Sequence, residues 1–290
     1  MNIDINTRFI TLIGTPLSQS FAARMQNAGY ESANYNMVYF YTEVGNDHLS
    51  DAINAVRYMP AFAGAAVTKP NKVEVMRYLD DFDPLCKKMG SSNTVVKTAE
   101  GRLIGYNTDG YGALRSLKEE LGELKGKTMF SFGAGGTGRS VCFELANAGA
   151  KRIYICSRSG ACEELSAELN KFYPGVCVPV RAANEEAIAK ALDETDIILN
   201  LSGAGMRGKE DTTCVDKKYL KPEHVCFDAT YNPPETRFLR EAKEVGCKTI
   251  NGLDMSLYQG LRQIQLWTGG QCAPLDAMRK ELMTIMEEQK

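Results

Sequence analysis

The stretch Lys127-Thr128-Met129-Phe130-Ser131-Phe132-Gly133-Ala134-Gly135-Gly136-Thr137-Gly138-Arg139-Ser140-Val141-Cys142-Phe143-Glu144-Leu145-Ala146 decides the fold. Its opening is a strand-like run, its middle spells G-x-G-x-x-G, and its end reads as a helix. Alone, the glycine pattern is weak. Between a strand and a helix it marks a dinucleotide-binding unit, because glycines permit the tight turn and let backbone amides approach a pyrophosphate at the helix N-terminus. Gly133, Ala134, Gly135, Gly136, Thr137 and Gly138 are therefore candidate cofactor-binding residues. The choice of dinucleotide falls at the end of the next strand, where a carboxylate would accept from a ribose 2′-hydroxyl and a basic side chain would pair with a 2′-phosphate. Here that strand ends Cys156-Ser157-Arg158-Ser159, with an arginine and no acid. Arg158 thus favours NADP, with NAD as the alternative, since its planar donor fork suits phosphate. A solvated surface arginine is the plainer reading of the same residue.

Working outward, strand-like runs recur at 152–156, 176–180, 196–200, 225–228 and 248–250, with helices expected at 161–172, 185–192 and 236–245. This alternation reads as a doubly wound parallel sheet of Rossmann type. Before it, apolar runs at 9–13, 37–41, 64–67, 94–96 and 103–105 alternate with helical spacing at 22–32, 48–58 and 71–79, the last following Pro70. That section reads as a second α/β layer. The tail carries no strand signal, and 255–267 and 275–288 read as helices around Gly269-Gly270, too small to fold alone. The resulting class is α/β: an N-terminal α/β substrate domain over 1–109, a Rossmann-type domain over 110–252, and C-terminal helices over 253–290 that return to the first domain.

Two domains also agree with 290 residues at 44% hydrophobic content. The formal charge of −2 lacks the basic excess of a nucleic-acid binder. No apolar run reaches membrane-spanning length, and the start lacks a basic region followed by an apolar stretch, so a cytoplasmic protein is expected. Nine cysteines without a C-x-x-C pair read as free thiols, and two isolated histidines argue against a metal site.

Taken alone, Lys72 is a solvated first-turn lysine, and Asp109 a turn residue or helix cap. The order of motifs changes that weighting. Gly14-Thr15-Pro16-Leu17, Ala66-Val67-Thr68-Lys69-Pro70-Asn71-Lys72, Gly90-Ser91-Ser92-Asn93-Thr94, Gly105-Tyr106-Asn107-Thr108-Asp109-Gly110, the Gly133–Arg139 loop, Asp228-Ala229-Thr230-Tyr231-Asn232-Pro233 and Gly252-Leu253-Asp254-Met255, leading to Gln259 and Trp267, together resemble the shikimate dehydrogenase family along the whole chain. By that resemblance Lys72 and Asp109 are the catalytic pair: oxidising a secondary alcohol requires removal of its hydroxyl proton as hydride leaves, which a lysine can shuttle while Asp109 holds hydroxyl and ammonium in register. The resemblance likewise implies a ring-hydroxyl contact from Asn93, a second polar contact from Gln259, and contacts toward the substrate carboxylate from Ser20, Thr68 and Tyr231. It adds Ser157 and Gly252 to the cofactor-binding residues. The implied partner is a small cyclic hydroxy acid, bound by a monomer or homodimer. The bland alternatives are that Asn93 ties down a turn, Gln259 faces solvent and Tyr231 packs in a cleft.

Two positions depart from the family pattern. Aligned on Gly14 and Pro16, Ser20 supplies the first hydroxyl of the family's Ser-x-Ser, but Ala22 stands at the second. The alternative register, Ser18-Gln19-Ser20, requires a two-residue shift. Ala66 replaces the family's asparagine ahead of Val-Thr. A charge-assisted hydrogen bond is worth about 1.5 to 3 kcal/mol, so an uncompensated loss would weaken shikimate by one to two decades. The leading expectation is therefore an NADP-linked dehydrogenase of shikimate or a related cyclic hydroxy acid. The alternatives are a quinate-type dehydrogenase and a non-catalytic metabolite or dinucleotide sensor.

Overall fold

Apolar runs buried on both faces suit parallel strands covered by helices, and residues 109–258 build such a sheet. In the computed structural model, which describes residues 3–18, 20–271 and 274–288, the chain forms two compact units: Met1–Thr108 with Gln259–Lys290, and Asp109–Tyr258.

In the continuous unit, α4 (Asp109–Leu121) precedes β7 (Thr128–Phe132), α5 (Gly136–Asn147), β8 (Arg152–Ser157), α6 (Ala161–Phe172), β9 (Cys177–Arg181), α7 (Glu185–Asp193), β10 (Ile197–Asn200), β11 (Val225–Asp228), α8 (Arg237–Val245) and β12 (Lys248–Ile250). The strands lie in the order β12-β11-β10-β7-β8-β9, all parallel. The direction of winding reverses between β7 and β10, and the glycine loop leaves β7 at that reversal, where ligands bind in open α/β sheets. One core face joins Phe130, Ile198, Cys226, Phe238 and Leu192.

The discontinuous unit contains β1 (Arg8–Gly14), α1 (Ala22–Ser32), β2 (Met37–Glu43), α2 (Leu49–Arg57), β3 (Phe62–Val67), β4 (Asp81–Phe82), α3 (Pro84–Met89), β5 (Thr94–Lys97) and β6 (Leu103–Tyr106), then most of α9 (Leu253–Trp267) and α10 (Leu275–Glu288). Its sheet runs β2-β1-β3-β5-β6-β4, with β5 antiparallel to both neighbours. Trp267 closes one face: its indole Nε1 donates to Val95 O at 2.9 Å, above Gly64, where any side chain would collide with the Val95 carbonyl and the indole.

Several elements differ from the sequence reading. The helix expected over 71–79 is a turn followed by a 3-10 segment, Glu74–Tyr78. The side chain of buried Asn71 donates to Val44 O at 2.7 Å, and its N–H donates to Thr68 O, so tertiary anchoring overrides the helical spacing. α5 begins at Gly136, inside the glycine loop, rather than at Ser140. α4, unread in the sequence, begins at Asp109 and carries Gly110, where a side chain would strike Ser140 O of α5.

Candidate functional site

The unit of residues 1–108 and 259–290 gathers one set of candidates around the C-terminal ends of β1 and β3. Thr68 N donates to Ile13 O at 2.9 Å and Thr15 N to Lys69 O at 3.1 Å, so the Gly14 and Thr68–Lys69 turns lie side by side. Gly14 is required there, since a Cβ would sit 2.3 Å from Thr68 Cγ2. Lys72, half-buried, follows in the next turn, and its carbonyl accepts from Ser92 N at 2.8 Å, which brings its backbone beside Asn93.

Asn93 is buried and its amide orientation is fixed. Thr108 N can only donate, so the atom 2.8 Å from it is Oδ1, which also accepts from Thr94 Oγ1 at 2.7 Å; Nδ2 donates to Thr108 Oγ1 at 3.1 Å. Gln259 reaches the same cluster through Thr108 Oγ1 at 3.5 Å. Behind them Gln263 Nε2 donates to Thr94 Oγ1 at 3.0 Å, and Gln26 Nε2 donates to Gln263 Oε1 at 3.1 Å. Thr94 and Thr108 lie inside the quoted motifs but received no role there, and Gln263 and Gln26 lie outside every motif. The one available signal was the four-residue spacing of Gln259 and Gln263, which puts two amides on one face of α9. Ser20 is held differently: its carbonyl accepts from Tyr41 OH at 2.7 Å, and its hydroxyl accepts from Ala22 N at 3.3 Å at the start of α1. Of the alternative register, Gln19 lies outside the described residues. Ala66 is buried within β3.

The unit of residues 109–258 holds the other candidates. Gly133 has φ +119°, and a side chain there would meet the Leu201 backbone; a Cβ on Gly138 would stand 2.1 Å from Gly133 O. These two glycines keep the turn closed. At Gly135 and Gly136 a Cβ would point into open space, leaving the first backbone amides of α5 beside an exposed surface. Ala134 and Thr137 share that loop. Ser157 Oγ donates to Ser159 O at 2.6 Å and accepts from Cys162 N at 3.0 Å, so this hydroxyl shapes the β8–α6 turn. Arg158 is exposed on that turn.

Tyr231 lies in the loop after β11, organised by Asp228, and Gly252 in the short turn after β12 that packs on it. The buried Asp228 carboxylate accepts from Thr236 Oγ1 at 2.7 Å, Asn200 Nδ2 at 3.0 Å and Thr230 N at 2.8 Å. Burial pushes this carboxyl above its ordinary value, against the opposing pull of those donors. Gly252 permits close approach, since a Cβ would lie 2.2 Å from Ala229 O, and its N–H donates to Thr230 O. Asp109, largely buried, is the first residue of α4 in this unit.

Among the described residues no group of three or more His, Cys, Asp or Glu is arranged to hold a metal ion. No described helix is long and apolar enough to cross a membrane. The eight described cysteines are free thiols, and burial pushes that of Cys142 up to about 12.

Residues 12–95 match the family model described as the shikimate dehydrogenase substrate binding domain, and residues 252–283 that of the shikimate 5′-dehydrogenase C-terminal domain. The chain is 36% identical over 280 residues to a shikimate dehydrogenase (NADP(+)) of Alkaliphilus oremlandii, covering 96% of this chain and 97% of the relative. It is 38% identical to the shikimate dehydrogenase (NADP(+)) of Methanocaldococcus jannaschii, covering 92% and 93%. The crystal structure of shikimate 5-dehydrogenase from Listeria monocytogenes in complex with shikimate and NAD superposes with a TM-score of 0.92 at 33% identity, covering 97% of this chain and 98% of that one.

Proposed function

The chain belongs to the shikimate dehydrogenase family, and from that membership we propose that it exchanges hydride between NADP and a ring hydroxyl of shikimate or a closely related cyclic hydroxy acid. The observation that carries the reading is a similarity running through both units to relatives named for shikimate and NADP(+). We assign substrate binding to the unit of residues 1–108 and 259–290, and dinucleotide binding to that of residues 109–258.

The residues of the second unit suit a dinucleotide. Bare backbone at Gly135 and Gly136 leaves room for a pyrophosphate against the N-terminus of α5, while Gly133 and Gly138 hold the loop in shape. Ala134 and Thr137 complete the loop, Ser157 sets the turn, Gly252 supports its neighbour loop, and Arg158 offers its fork to a 2′-phosphate. When bound, the nicotinamide supplies the hydride acceptor or donor.

The chain's own part in the chemistry is to orient the alcohol and move its proton. Lys72 Nζ takes the hydroxyl proton during oxidation and returns it during reduction, while the Asp109 carboxylate holds hydroxyl and ammonium in line. Asn93 presents a preset amide to a ring hydroxyl, because Thr108 N and Thr94 Oγ1 already fix which end is oxygen. Gln259 adds a second polar contact, and Ser20, Thr68 and Tyr231 serve the carboxylate side. Ala22 and Ala66 make that pocket less polar than the family pattern, which favours a relative of shikimate wherever no other donor compensates.

Reduced-cofactor absorbance with NADP and NAD across shikimate, quinate and aminoshikimate tests the reading. Turnover of any of these acids with NADP supports it, and the preferred acid shows what the two alanines do. Tight ligand binding with silence across the panel overturns it in favour of a sensor.

A further inference from the structure

Resting on the NADP assignment above, we propose that Arg181 is a second determinant of cofactor choice, reading the 2′-phosphate together with Arg158. Arg181 ends β9 and stands in register with Ser157, the last residue of β8, one strand further from the sheet centre. Its guanidinium turns toward the β8–α6 turn: Nη2 lies 3.8 Å from the point where a side chain on Gly160 would begin. Arg181 Nε pairs with Glu163 of α6, which anchors the fork by one edge. Among the described residues, the Arg181 guanidinium hydrogen-bonds only to Glu163, through Nε, and the side chain of Arg158 makes no hydrogen bond or ion pair.

Gly160 carries φ −63°, a conformation open to any residue, so the backbone does not demand glycine there. Its effect is to leave the turn bare beneath Arg181. Charge gives the second argument. Without Arg181, Arg158 would stand against both Glu163 and Glu164 in the first turn of α6, and a dianionic phosphate approaching the turn would meet net repulsion. Arg181 brings the four charges into balance, pairs with the nearer acid, Glu163, and adds a planar donor fork beside the turn. The alternative is a surface ion pair with Glu163 that contributes little to anything.

The test uses the full-length protein and compares kcat/KM with NADP to kcat/KM with NAD, alongside inhibition by adenosine 2′,5′-bisphosphate relative to AMP. Arg181→Gln should lower the NADP-to-NAD ratio about tenfold and weaken adenosine 2′,5′-bisphosphate by a similar factor, with Arg181→Lys between it and the parent. The side chain is half exposed, and a general loss of fold would depress both cofactors together and leave their ratio unmoved. If Arg158→Gln collapses the ratio while Arg181→Gln leaves it within about twofold of the parent, Arg181 is only a surface ion pair and the inference falls. If the parent shows no NADP preference and Arg158→Gln changes nothing, the cofactor reading itself falls, and this inference with it.

Discussion

Replacing Asn93 by alanine separates the structural role of this amide from its proposed contact with substrate. In the parent, Asn93 Oδ1 accepts from Thr108 N at 2.8 Å and from Thr94 Oγ1 at 2.7 Å, and Thr94 and Thr108 are almost fully buried. Truncation strands the Thr108 amide without an acceptor, at about 1–3 kcal/mol. The bond from Thr94 is worth about 1 kcal/mol more, part of which returns when its hydroxyl turns to Thr108 Oγ1, now 3.5 Å away. The expected loss is about 2–4 kcal/mol, which at an ordinary urea dependence lowers the midpoint by about 1–2 M. Trp267, the chain's single tryptophan, is buried in the same unit, so its fluorescence follows the unfolding of that unit alone. A midpoint shift under about 0.3 M with an unchanged slope would refute the argument, because Thr108 N would then have found another acceptor. Turnover should fall in the same variant at urea-free concentrations, where it remains folded.

Other perturbations read other parts of the molecule. Lys72→Ala should lower kcat by about 10²–10⁴ with KM changed only a few-fold; equal losses in kcat and in affinity would make Lys72 a binding residue instead. Gly138→Ala forces a methyl group against the Gly133 carbonyl, so about 1–3 kcal/mol of stability and most dinucleotide affinity should go together, and an unchanged melting temperature with unchanged cofactor KM counts against a closed loop. Asp80 accepts from Leu103 N and Arg57 Nη1, both at 2.7 Å, and the amide foremost, with the guanidinium, holds its carboxyl below the ordinary 3.8. Its folded value lies below its unfolded one, so its contribution is complete above 3.8 and fades as pH falls through the folded value. Asp80→Asn should therefore cost about 1 kcal/mol at neutral pH and flatten the acid limb below about pH 4; acid limbs that stay parallel argue against the assignment.

The parallel sheet was legible because strands such as Ile197–Asn200, buried on both faces, spell unbroken apolar runs between turn signals. α4 escaped notice because Gly110 and Gly112 lower helix propensity; at Gly110 the cause is tertiary, a close crossing with Ser140 that no local pattern announces. α3 had every end signal, with Asp83 capping Leu85 N and Cys86 N, Pro84 at the first turn and Gly90 at φ +63°, but its six residues are too few for a periodicity. In the candidate site, Lys72 and Asp109 stood out only through the order of motifs. Of the amide network only the spacing of Gln259 and Gln263 was legible, since Gln263 meets Thr94 across 169 residues, and nothing local to either names the other.

The division of one unit into two chain segments has a consequence during synthesis. Once residue 108 is made, the 150 residues of the continuous unit follow before Gln259 exists. At 5–20 residues per second this is an interval of roughly 8–30 s. Throughout it the nascent N-terminal sheet lacks the indole that covers Gly64 and Val95 and the amide that pairs with Thr94. The ribosome thus releases the Rossmann unit ready to fold while the earlier segment still waits for its last helices, and a chaperone that shields β3 and β5 would act in that window.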